Sequence, residues 1–198
     1  QSFVYGGRCS ATCIECFEKI ARFNIAMYME LQGFESHRVD NSTKSLKFSQ
    51  FNMNCVKRVT EALSRLREYY NHSLERNDKG IRSGIRLENM QQCMGYMILW
   101  NMDNILESSG FISEICMHDR RHGLGICNSQ FVVFALAVVA ARRRHDFSSF
   151  FKLLKEAPYL ESCIMFKYAV GLKDNGFISD ESMRGQAVRA FYKALSQR

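Results

Sequence analysis

Proline is nearly missing from this sequence: Pro158 is the only one in 198 residues. The one forced break in a helical backbone is therefore expected at Ala157-Pro158. Phosphate-binding loops are missing as well. Neither G-x-x-x-x-G-K-[ST] nor G-x-G-x-x-G occurs, and Gly123-Leu124-Gly125 has no strand before it. H-E-x-x-H and G-x-S-x-G are absent, which removes the commonest metalloprotease and hydrolase mechanisms. An RNP-type aromatic and basic motif is absent too. The longest apolar run, Phe131 to Ala141, has 11 residues before Arg142-Arg143-Arg144, whereas a bilayer needs about 20. The opening, QSFVYGGRCS, holds no basic-then-apolar leader, and Gln1 reads as a start inside a longer chain.

What is present is an ordinary globular composition, 46% apolar and 24% charged, far from that of disordered chains. The length suits one domain or a single run of stacked helices. Lysine and arginine number 27 against 20 acidic residues, a net charge of +7. That balance favours anionic partners such as RNA, DNA or an acidic protein, without choosing among them. The eight cysteines fall mostly on positions that read as helix faces, for example Cys55, Cys93 and Cys163. Buried thiols of a soluble intracellular protein are expected rather than disulfides.

The apolar spacing is helical nearly throughout, and no alternating strand stands out. From Cys13 to Leu31, the residues Phe17, Ile20, Met27, Tyr28 and Leu31 mark one helix face, with Gly33 as its stop. Asp40 to Ser45 reads as a loop. From Phe48 to about Leu74, the residues Val56, Val59, Leu63, Leu66 and Tyr70 repeat at spacings of three and four. Lys57, Arg58, Arg65 and Arg67 fall mostly off that stripe and are expected in solvent. Glu75 to Arg86 reads as a loop, followed by a helix from Leu87 to Trp100. Asp103 is expected to cap a short helix through Ile105 and Leu106, and Met117 to Cys127 reads as another loop. Asn128 or Ser129 caps a helix through Ala141. Asp146 caps the next, whose apolar stripe is Phe147, Phe150, Phe151 and Leu154. Helices at Tyr159–Leu172 and after Ser179 or Asp180 complete seven or eight, with a turn at Asp174-Asn175-Gly176. Apolar residues line several sides of the helix around Phe131 to Val139, as in helices sandwiched within a stack. No fixed-period repeat is visible.

Three clusters carry possible chemistry. Cys116, His118, His122 and Cys127 could in principle hold zinc, though their spacing fits no standard module. Cys9, Cys13 and Cys16 include a C-x-x-C pair, but the start of an amphipathic helix makes core thiols the simpler reading. The third is basic. Arg142, Arg143 and Arg144 stand at a helix C-terminus, where cations suit the dipole. Arg120 and Arg121 stand in the expected loop, and Arg82 and Arg86 flank another. These five, Arg142, Arg143, Arg144, Arg120 and Arg121, are the candidate RNA contacts, of the phosphate-binding kind that adds affinity without sequence preference.

Four blocks, in order, resemble the GANP/SAC family. Ile20-Ala21-Arg22-Phe23-Asn24-Ile25 looks like the family's "ARFHI" helix, with Asn24 where histidine is usual. Leu63-Ser64-Arg65-Leu66-Arg67-Glu68-Tyr69-Tyr70 is similar to its "LxxLxxxY" stretch. Glu88 to Tyr96 with Asn104-Ile105-Leu106 resembles its "E-x-E-F-x-x-Y…D-I-L" block, departing at Gln91-Gln92-Cys93. The nearest match is Phe134-Ala135-Leu136-Ala137, then Asp146 to Leu154, then Ala157-Pro158-Tyr159-Leu160. Together the blocks cover about residues 20 to 195. The resemblance implies an all-α fold, a solenoid of stacked helical hairpins of the PCI-associated type. Residues 1–198 would form one helical domain of a longer protein, without the family's winged-helix module. It implies a non-catalytic scaffold of a nuclear mRNA-export (TREX-type) complex, at or near nuclear pores. The implied partners are a PCI-domain subunit, a small acidic subunit, nuclear-pore-associated factors and mRNA, with no membrane and no cofactor. The alternatives are a scaffold of another PCI-type complex (the proteasome lid or a splicing-linked assembly) and a Cys/His metalloprotein.

Overall fold

A computed structural model describes residues 11–36, 42–76 and 85–170, with the side chains of 31–36, 42–50, 52, 75–76 and 169–170 left out. Cys9, Asp40, the Asn77–Gly84 stretch with Arg82, the Asp174–Gly176 turn and the final helix after Ser179 lie outside the described residues. Among the described residues every regular element is a helix: α1 (Ala11–Ser36), α2 (Ser42–Arg76), α3 (Leu87–Trp100), α4 (Ile105–His122), α5 (Gln130–Arg143), α6 (Phe147–Glu156) and α7 (Tyr159–Val170). The all-α expectation holds. No helix among them is long and apolar enough to cross a membrane.

The chain forms two compact units. One comprises Gln1–Ala21 and Thr60–Asp146, the other Arg22–Val59 and Phe147–Arg198.

In the first unit the α2 stripe lies where its periodicity puts it: Leu63, Leu66 and Tyr70 are buried, along with Ala62 and Leu74. The α1 stripe does not. Phe17 is only half-buried and Ile20 is exposed, while Ile14, Glu18 and Ala21 are buried. The true face contains a carboxyl group, so hydropathy alone misplaced it. Glu18 earns its place by hydrogen bonding: Tyr70 Oη donates to its Oε1 at 2.8 Å and Asn89 Nδ2 to its Oε2 at 2.8 Å. One side chain thus joins α1, α2 and α3. A buried acceptor with both oxygens occupied avoids the penalty of an unmade bond, about 1–3 kcal/mol. Burial pushes the Tyr70 hydroxyl far above its ordinary pKa, so it remains a donor.

At the centre lies α3, whose eight residues from Cys93 to Trp100 are all buried. Such a helix has neighbours on every side. Trp100 Nε1 donates to Thr60 Oγ1 at 2.9 Å, which satisfies the indole against α2. Arg67, expected in solvent, keeps 41% of its side chain exposed but is also engaged by the protein. Its guanidinium forms an ion pair with Glu114 of α4 and covers the Phe111 ring at 5.3 Å. Glu114 also accepts from Asn71. Burial pushes the Glu114 carboxyl up, but the Arg67 and Asn71 hydrogen bonds, with the charges of Arg67 and His118, outweigh it and hold it below the usual range.

In the second unit, Ile25, Met29, Cys55 and Val59 are buried. The helix does not stop at Gly33 but runs on to Ser36. A glycine costs a helix about 1 kcal/mol and does not by itself end one. Likewise α2 already begins at Ser42, inside the expected loop. In α6, Phe150 and Leu154 are buried but Phe151 is 40% exposed, so the four-residue stripe was drawn too wide. Ala157-Pro158 does break the chain between α6 and α7. Residues 161–166 of α7 are buried on all sides, and Tyr159 Oη donates to Glu30 Oε1 at 3.1 Å.

Candidate nucleic-acid interface

The basic surface of the first unit is built on α4 and its connection to α5. The cap at the start of α4 is Asn104, not Asp103. The Asn104 side chain accepts from Glu107 N at 3.2 Å and donates to the Glu107 carboxylate at 2.9 Å, a reciprocal cap. Asp103 is instead the partner of Arg142 at 3.3 Å. The helix that follows is 18 residues long, longer than the short helix expected. It absorbs Met117 to His122, which sequence polarity had marked as loop. Its end is set by Gly123, at φ 61° and ψ 37°, whose N–H reaches Asp119 O at 2.8 Å. A left-handed glycine cap closes helices in this way, and Arg120, Arg121 and His122 in the last turn suit the negative end of the dipole.

The connection beyond is short and anchored by Asp119. One carboxylate oxygen accepts from Ile126 N at 2.9 Å and the other from Cys127 N at 3.0 Å. Burial pushes the Asp119 carboxyl up, but these backbone bonds outweigh it and the net shift is downward. Gly123 and Gly125 both sit at positive φ with open space beside them, which lets the chain reverse within four residues. Ser129 then caps α5, accepting from Val132 N at 3.4 Å.

The five candidate arginines separate into two groups. Arg120 and Arg121 are exposed and line an open groove of about 640 Å³ with Ser113, Cys116 and Met117. Arg142, Arg143 and Arg144 stand at the other end of α5. Arg142 is only 11% exposed and pairs with Asp103, so it holds α5 to the α4 start. Arg143 donates to the buried Ser108 Oγ at 2.5 Å. Arg144 is exposed and follows the last turn of α5. Ser108 and Arg120 are twelve residues apart along α4, about 18 Å at the helical rise. The two groups therefore form no single patch; of the five, Arg120, Arg121, Arg143 and Arg144 are exposed, and Arg143 is also tied to Ser108.

Of the thiols, Cys55, Cys93 and Cys163 are buried as expected, but Cys16 is exposed. Cys116 and Cys127 come together, with Sγ atoms 3.5 Å apart. His118 and His122 stack on each other at 6.2 Å. Among the described residues no three His, Cys, Asp or Glu side chains converge as a metal site would require. The sequence reading missed Asp119 as the residue that organises this end. Its only linear signal was a position one helical turn after Cys116 and just before a glycine-rich reversal.

Comparison with curated proteins and with solved structures gives no significant match. One family model does match, over residues 1–179 of the 198. On that match, together with the all-helical fold, the chain belongs to the SAC3/GANP family.

Proposed function

We propose that this chain is a non-catalytic scaffold that joins a PCI-domain subunit and a small acidic subunit in a nuclear mRNA-export complex, at or near nuclear pores. Membership of the SAC3/GANP family, over nine-tenths of the chain, is the observation that carries the reading; it ties the chain to mRNA export within a protein complex. Two features of the molecule support it. Three of the partly or fully buried carboxylates, Glu18, Glu114 and Asp119, hold helices together or cap a loop; Glu161 is buried in α7. Large apolar side chains stand on the surface instead, with Ile105 at 61% and Leu106 at 87% exposure at the start of α4, where a protein partner would cover them. RNA would be guided by Arg120, Arg121 and Arg144 through phosphate contacts.

The test is affinity purification of the tagged full-length protein from its own cells, followed by mass spectrometry. A PCI-domain subunit together with mRNA-export and pore factors is expected. Recovery of proteasome-lid or splicing subunits in their place would overturn the assignment.

A further inference from the structure

We propose that Cys116 and Cys127 form a thiol-oxidation site, in which a hydroperoxide oxidises Cys116 and Cys127 then closes a disulfide. The proposal goes beyond the scaffold reading and does not depend on it.

The juxtaposition is built, not incidental. Cys116 and Asp119 are one turn apart on α4, and therefore share a face. The Asp119 carboxylate grips the N–H of Cys127 and that of its neighbour Ile126. The grip lays Cys127 over the preceding turn, against Cys116. The sulfurs stand 3.5 Å apart, and a disulfide of about 2.05 Å requires them to close by about 1.5 Å. The pair is eleven positions apart in sequence, so the fold creates the encounter. Gly123 and Gly125 in the connection tolerate the adjustment.

The two thiols are not equivalent. Cys116 lines the open groove beside Arg120 and Arg121. Reactive cysteines occupy electropositive, partly open surroundings of this kind. Cys127 faces the Asp119 carboxylate and donates its S–H toward Cys116. Burial, then the Cys116 thiol and Asp119, push the Cys127 thiol up to about 12. Cys116 is accordingly the attacking residue and Cys127 the resolving one.

The chemistry balances with a hydroperoxide as the oxidant. The Cys116 sulfur attacks one peroxide oxygen and the O–O bond breaks. The departing alkoxide or hydroxide takes the thiol proton, leaving Cys116 as a sulfenic acid. The Cys127 sulfur then attacks the Cys116 sulfur. Its proton leaves with the displaced hydroxyl as water, and the S–S bond forms. Two thiols lose two electrons and two protons; the peroxide is reduced to an alcohol (or water) and one further water. The product ties the last turns of α4 to the connection before α5, and so resets the wall of the groove that carries Arg120 and Arg121.

The experiment treats the purified folded chain with hydrogen peroxide and maps its peptides without reduction. A Cys116–Cys127 linked peptide is expected, with a mass loss of two hydrogen atoms reversed by dithiothreitol. In Cys127→Ser, a sulfenic-acid probe should label Cys116. In Cys116→Ser, oxidation of Cys127 should slow by at least about tenfold, the scale on which surroundings tune thiol reactivity. Asp119→Asn keeps the side-chain shape but weakens the grip, and should slow linkage while leaving sulfenic acid at Cys116. Circular dichroism checks that each variant folds, and the unmodified protein decides the matter if one does not. Linkage of other cysteines with this pair left reduced, or first labelling of Cys127, would overturn the proposal.

Discussion

The carbonyl oxygen of Phe131 lies 3.0 Å from where a β-carbon on Gly95 would stand. Helices α3 and α5 therefore meet backbone against backbone, and the glycine is what allows it. Gly95→Ala would gain about 1 kcal/mol of helix propensity. Against that, a methyl group pressed on a helical carbonyl costs about 1–3 kcal/mol of overpacking. A net loss is expected in urea denaturation, and a larger one for Gly95→Val. Unchanged stability in both would mean that α3 and α5 can part without cost.

The α6 phenylalanines offer a sharper contrast. Phe150 is 3% exposed and Phe151 is 40% exposed, with their rings edge to face at 5.8 Å. Phe150→Ala should lose about 3–5 kcal/mol, as for a fully buried ring. Phe151→Ala should lose little beyond the aromatic pair, about 0.5–1.5 kcal/mol. Equal losses would show that the assignment of the buried face is wrong.

A pH dependence follows from Glu161, which is buried in the first turn of α7. Burial raises its pKa against the opposing effects of a backbone hydrogen bond and the Arg22 charge. A folded-state value above the unfolded one favours the protonated, folded form. The contribution is thus fully present below the unfolded value, about 4.3, and is lost as pH rises through the folded value. Glu161→Gln should accordingly stabilise the protein at pH 7 relative to the parent, with the gain vanishing in acid. A gain that instead grew on acidification would reverse the sign.

How much of this was legible in the chain can be judged residue by residue. The α2 stripe was legible because large aliphatics at three-and-four spacing have one reading. The Leu87 to Trp100 helix, the Ser129 cap and the Pro158 break were legible for similar reasons of local chemistry. The α1 face was not, because Glu18 and Asn24 are buried polar residues, and Glu18 is compensated by Tyr70 and Asn89 on other helices. The end of α4 was misread because an exposed helical turn such as Asp119-Arg120-Arg121 looks like a loop to hydropathy. At the candidate interface, the arginines were nameable but their separation was not. That Arg142 is an internal strut rather than a phosphate contact depends on Asp103, thirty-nine positions earlier in the chain.

The same distinction makes a prediction about RNA. If single-stranded RNA engages the groove, Arg120→Glu with Arg121→Glu should weaken binding and flatten its salt dependence. Each lost phosphate contact lowers the log–log slope by about 0.7. Arg142→Glu should instead lower thermal stability, since it sets a second carboxylate beside Asp103. An electrophoretic or fluorescence titration across salt concentrations separates the two. Identical slopes for the double variant and the parent would remove RNA from this groove.

The inaccessibility of Cys93 to Trp100 has a genetic consequence. An assembly hub is usually dissected with alleles that sever one partner and spare the rest. On the proposed scaffold role, no such allele is expected along this stretch of α3, because its side chains are buried within the unit. Substitutions there would act through the whole unit, and on that role would abolish several associations at once. A screen for separation of function should therefore return hits on the outward turns of α4 and α5, and only null or temperature-sensitive alleles from the helix they enclose.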